Sequence, residues 1–165
     1  MTEIKPPLNR WLTWERIGSE PVYMFRLTLL RLPGARRLYL HRFVGDDWCL
    51  DPHDHPKVFW SIGLRGSYVE EVYEVIPGGC VRGVRLKEQI TFRAPWIRRF
   101  EPSHTHRIRA SSTGGAWTLV FTGPETDEWG FWLEHKVWIP FADYLKRFAP
   151  GRELKRVEKS NARTD

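Results

Sequence analysis

Four of the six histidines in this 165-residue chain fall in two His-x-His pairs, His53/His55 and His104/His106. On an extended backbone, residues two apart project from the same face. Each pair can therefore aim two imidazoles at one point. Neutral imidazole is a ligand for Fe, Zn, Cu and Ni, and a pair from one strand plus a histidine from a distant strand builds a metal site. One such pair alone is weak evidence, because a loop can carry it by accident. Two pairs, each followed by strand-like sequence, argue for a site. His41 shares strand parity with Tyr39 and Phe43 and reads as a buried, satisfied histidine rather than a ligand. His135, near Trp132 and Trp138, reads as structural or exposed.

Other reactive types are fewer. Glu70, Glu71 and Glu74 follow Gly66 on one strand and read first as outward-facing charges. If one enters a cavity as acid or base, Glu70 is the candidate. Arg65 can grip a carboxylate or phosphate, or can cap a rim. Asp54, between two histidines, should point away from them, whereas Asp51 can support a ligand from behind. Cys49 reads as a small buried hydrophobe more readily than as a redox thiol. There is no Gly-rich phosphate loop, Gly-x-Ser-x-Gly elbow or Cys-x-x-Cys knuckle.

The elements that must position these groups are mostly strands. Strand patterns run over 22–32, 37–44, 58–64, 67–76, 81–86, 89–93 and 117–122. Another falls within 99–109, and a last one spans 129–137. Turn signals separate them at Pro33-Gly34, Pro77-Gly78-Gly79, Gly114-Gly115 and Gly123-Pro124. After Pro140, the stretch 141–148 has helical spacing, with Phe141, Leu145 and Phe148 on one face. Residues 1–20 read as an arm pinned by Trp11 and Trp14, and 151–165 as a polar tail. The expectation is one all-β domain over 1–150, a sandwich, jelly roll or barrel, with a short C-terminal helix.

Composition agrees. Aromatic residues make up 14% of the chain, which favours strands and an aromatic-lined cavity. No apolar run is long enough to span a bilayer, and the N-terminus has no apolar signal core. Two cysteines, Cys49 and Cys80, make no disulfide framework, so a reducing, cytoplasmic location is expected. The net charge of +6 suits an anionic partner or simply a basic surface. Nucleic acid is compatible with it, but no reading module supports that partner.

The stretch from Gly45 to Gly66, with His53-Asp54-His55 inside it, resembles the first motif of the cupin superfamily. Pro102-Ser103-His104-Thr105-His106 resembles the second. More narrowly, the sequence is similar to a group of small cupins found in bacteria and their phages. The resemblance covers about residues 38–123 and implies a double-stranded β-helix. It implies one divalent transition metal (Fe, Mn, Ni or Zn) held by His53, His55 and His106. His104 has no firm counterpart and is left as a fourth ligand, a base behind the ligands or a mouth residue. The usual first-motif glutamate would fall at Phe59 or Trp60. Its loss leaves a three-histidine site, as in the thiol dioxygenases, and favours a small anionic ligand. The functional expectation is a metalloenzyme, dioxygenase-like or isomerase-like, with Arg65, Glu70 and His104 as its acting side chains. The alternative is a binding module for a sugar, nucleotide or signalling metabolite. A homodimer is the further expectation by analogy.

Overall fold

A computed structural model describes residues 12–17, 22–47, 49–77, 83–111 and 114–148. The arm before residue 12, the tail after 148, Trp11 and Cys80 lie outside them.

Eleven strands and one helix follow in order among the described residues. They are β1 (Thr13–Ile17), β2 (Met24–Arg31), β3 (Arg37–Phe43), β4 (Phe59–Arg65), β5 (Ser67–Ile76) and β6 (Gly83–Arg93). Then come β7 (Trp96–Phe100), β8 (Thr105–Ser111), β9 (Ala116–Thr122), β10 (Gly130–Leu133), β11 (Val137–Pro140) and α1 (Phe141–Phe148). All pairings are antiparallel. One sheet has the order β1-β2-β3-β9-β4-β7, another β6-β5-β8, and β10 pairs with β11. Single bridges from His53 to His106 and to Phe131 join the smaller sheets through one residue. The result is a jelly roll of two facing layers.

Strand alternation sets what lies between the layers. On β9, Ala116, Thr118, Val120 and Thr122 are buried while the residues between them are not. The register carries this inner face across the large sheet: Thr118 lies opposite His41 and Gly63, and Ser61 lies opposite Val120 and Arg98. At one end, Ile17, Met24, Phe43 and Ala116 from the large sheet meet Tyr68 and Ile108 from the small one in an apolar plug. Gly63 permits the Trp96 indole to lie flat on the backbone there, since a Cβ would collide with that ring.

Three expectations change. The segments read as 81–86 and 89–93 are one strand, β6, continued through a register shift opposite Val72 and Tyr73. The segment 129–137 is a hairpin, because Glu134 and His135 both turn at positive φ (49° and 62°) between β10 and β11. Trp14 does not pin the chain to the core: it is 49% exposed on the outer face of β1.

Candidate metal centre

Backbone pairing brings two distant pieces of sequence together. The His53 and His106 amides each donate to the other's carbonyl at 2.9 Å. The His55 amide donates to the Pro102 carbonyl at 3.0 Å. Both histidines of the first pair and His106 of the second then point into the barrel. Their ring nitrogens lie within 4.8 Å of one another, as a group that can hold a metal ion. His55 Nε2 and His106 Nε2 are 2.9 Å apart.

Buried carboxylates stand behind the rings. Glu70 is fully buried. Its Oε1 accepts from His106 Nδ1 and, at 2.8 Å, from His104 Nε2. Its Oε2 accepts from the Arg98 guanidinium at 2.9 Å. Burial alone would raise the Glu70 pKa, but His106 and the hydrogen bonds from both rings outweigh it and hold the group well below the usual range. An ionised carboxylate only accepts. His106 must therefore donate from Nδ1, which leaves its Nε2 lone pair facing forward. His53 Nδ1 sits 3.4 Å from Asp47 Oδ2, near the carboxylate but without a hydrogen bond to it. A carboxylate behind the distal nitrogen fixes ring orientation and raises ligand basicity.

Burial first, then the neighbouring His106, pushes the His53 and His55 pKa values well below 6.5. Both rings are therefore neutral, as ligation requires. The donor set, its neutrality and its backing by carboxylates fit a divalent transition metal. A second group, Glu70, His104 and His106, also meets within that reach. It suits a cation less well, because the Arg98 charge already occupies Glu70.

Aromatic rings form the walls. Phe59 and Phe100 stack with centroids 4.7 Å apart and planes 8° apart. Phe59 meets His55 edge-on and Phe100 meets His104 edge-on. Arg98 lies over Phe100 as well, 4.7 Å from its centroid. A groove of about 360 Å3 opens beside this network, lined by Arg98, Phe100, His104 and Lys87 among others.

The other expected residues distribute differently. Arg65 is exposed at the far end of β4, six residues from Phe59, which is about 20 Å along the strand. It is not brought to the histidines. The arginine that is present is Arg98, which the sequence reading passed over, as it did Asp47. Neither has a local signal, since both reach the site through strand register. The glutamates of β5 do not all face outward: Glu70 and Glu71 are buried, and only Glu74 is half-exposed. Phe59 does sit beside His55, so an aromatic ring stands there, while Glu70 supplies a carboxylate from the next strand. Asp54 points away as expected, accepting from the Gly130 amide and the Trp138 indole. Asp51 supports no ligand; it accepts from the Glu134 amide and Tyr144. Cys49 is buried against Phe131 and Tyr144. His41 is not satisfied: its Nε2 is buried without a hydrogen-bond partner, as is Thr118 Oγ1 across the same pairing. Burial, then Arg26, lowers the His41 pKa to about 3.

No family model matches the sequence, and no curated protein does. Solved structures do match. Fe(II) HppE aligns at a TM-score of 0.51 and 15% identity, over 74% of this chain and 60% of that one. The chain thus spans less than two thirds of the length of that protein. An RmlC-like cupin protein from Ralstonia eutropha JMP134 aligns at a TM-score of 0.50 and 10% identity, over 83% of this chain and 79% of that one. Alignment with these two structures, together with the jelly-roll pairing described above, shows that this chain has the cupin fold.

Proposed function

We propose that the chain is a metal-binding cupin in which His53, His55 and His106 hold one divalent transition metal and a small anionic molecule binds beside it. The observation that supports this reading is the gathering of three imidazoles, one of them held from behind by the fully buried Glu70, with the Nε2 atoms of His55 and His106 turned toward each other. HppE holds Fe(II) on a similar fold, which makes iron the first metal to test. When bound, such a metal polarises a ligand oxygen as a Lewis acid or, as iron, supports oxygen chemistry.

The remaining work falls to the protein. Glu70 holds the His106 ring in one tautomer. Arg98 offsets one of the two buried carboxylates, so the charge around a bound divalent ion stays positive and an anion is favoured. Phe59 and Phe100 keep water from the rings. His41 Nε2 and Thr118 Oγ1 offer unspent hydrogen-bonding capacity to a ligand reaching deeper into the barrel. The groove beside His104 has the volume of a small-metabolite site.

The test is the metal content of protein purified without a metal-affinity tag, followed by thermal-shift screening of the loaded protein against small carboxylates and phosphates. Near one equivalent of metal, absent from folded His53→Ala, is the expected result. No metal uptake on titration, with ligand binding retained, would replace this reading with a metal-free binding barrel.

A further inference from the structure

The inner face of the large sheet carries a second polar group, one row deeper in the barrel than Arg98. In register, Glu15 lies opposite Arg26, Arg26 opposite His41, His41 opposite Thr118 and Thr118 opposite Gly63. One end of this row is complete in itself. Arg26 donates to Glu15 at 2.7 Å and lies over the Tyr39 ring, 5.0 Å from its centroid. The other end is not. His41 Nε2 and Thr118 Oγ1 are buried, neither has a hydrogen-bond partner, and Thr118 as a whole is 1% exposed. An unpaired buried polar atom costs free energy, so two of them at facing positions of one strand pair need an account.

Trp96 adds a third polar atom. Its indole fills the space in front of Gly63, and Nε1 is the atom nearest to where a Cβ would stand. That donor lies on the side of Thr118 away from His41, because Gly63 is the next position in the row. Between this row and the histidines, the two central strands carry small side chains, Val120 and Ser61, opposite each other. The larger Tyr39 and Arg98 stand on either side of them. A lane thus runs down the middle of the sheet. One row to the next is two residues of strand, about 6.7 Å, which roughly five carbon atoms in line would span.

We propose that the deep row is a subsite for a ligand hydroxyl, and that the molecule the barrel takes is a small unbranched hydroxy acid. Its anionic end lies beside Arg98 and the three histidines, and its hydroxyl lies between His41 Nε2 and Thr118 Oγ1. The anionic end rests on the metal-centre reading above; the hydroxyl end rests on the unpaired atoms alone. The chemistry of the row selects the group. Burial, then Arg26, keeps His41 neutral, so its ring offers one donor and one acceptor nitrogen. A hydroxyl donates and accepts through a single atom, so it complements either tautomer of His41 and the Thr118 hydroxyl together. A carboxylate only accepts and an ammonium only donates. Either would also bring a buried charge to a place where the Arg26 cation is already paired with Glu15.

Titration calorimetry, with and without one equivalent of Zn(II), tests this with 4-hydroxybutanoate, 5-hydroxypentanoate and 6-hydroxyhexanoate. Each is run beside the acid that lacks the hydroxyl. The best hydroxy acid should bind about tenfold tighter than its counterpart, the size of one to two net hydrogen bonds. Thr118→Val keeps the shape and removes the unpaired oxygen. It should abolish the preference and raise the melting temperature of the ligand-free protein, because an unsatisfied buried atom is gone. A threonine with only a packing role would give neither change. His41→Phe is the second variant and should also bind each pair of acids equally. Equal binding of the paired acids by the wild type, or binding of none of them, overturns the inference. A preference that both variants retain overturns it too. Metal uptake measured on the same samples separates the two readings. No uptake, with a hydroxyl preference that Thr118→Val removes, would sink the metal centre and leave the subsite standing.

Discussion

Glu70 and Glu71 are neighbours on β5, yet they belong to different regions. Both are buried, and both are held below the usual carboxylate range. Glu70 faces into the barrel, where two of its partners are imidazoles and one is Arg98. Glu71 faces out, where it accepts from Arg107 at 2.8 Å, Tyr73 at 2.9 Å and Gln89 at 3.1 Å. For Glu71, burial pushes the pKa up, and the Arg107 and Tyr73 hydrogen bonds more than reverse it. The inner carboxylate is spent on rings that have a second nitrogen to offer elsewhere. The outer one is spent on Arg107, Tyr73 and Gln89, none of which belongs to the histidine cluster. The same residue type thus orients imidazoles on one side of a strand and ties three side chains together on the other.

That contrast can be broken in order of size. His106→Ala removes one of the three proposed ligands and a partner of Glu70, so metal stoichiometry should fall from near one to near zero, by elemental analysis of folded protein. His104→Ala, which touches Glu70 but lies outside the three-histidine group, should retain metal. Glu70→Gln keeps the shape and removes the charge. It should weaken metal affinity by about 10–100-fold in a chelator competition. Glu71→Gln should leave that affinity unchanged and cost about 1–2 kcal/mol in denaturant unfolding, because charge-assisted hydrogen bonds are lost. The smallest effect is in pH. The folded pKa of Glu71 lies below its ordinary 4.5, so its contribution is fully present above that value and is lost as pH falls through the folded pKa. The stability gap between wild type and Glu71→Gln should therefore close with acidification below about pH 4.5. A gap that is constant from pH 6 to pH 3 would show that Glu71 is not the outer carboxylate described here.

The histidine cluster was legible because an i, i+2 pair on extended chain has only one arrangement. Most strands were legible for the same reason, through alternation and turn residues. The helix over 141–148 matches its spacing. What the sequence could not disclose depends on register between distant strands. Arg98 reaches Glu70 across 28 positions, and Asp47 meets His53 only after the chain has looped back against β8. Alternation told that Glu70 and Glu71 face opposite ways. It could not tell that both sides of β5 are covered. The expected grip of Arg65 failed because a strand carried it to the opposite end of the barrel.

His53 closes the second layer with its backbone and faces the cluster with its ring. Its main-chain bonds to His106 and its bridge to Phe131 need no imidazole. Side-chain replacement there should therefore be tolerated by folding, whereas a change of segment length should not. One residue inserted between Pro52 and His53 would slip the pairing by one position, turning the imidazoles outward and the Asp54 carboxylate inward. At His53 the sheet therefore constrains the length of the segment more than the chemistry of the ring.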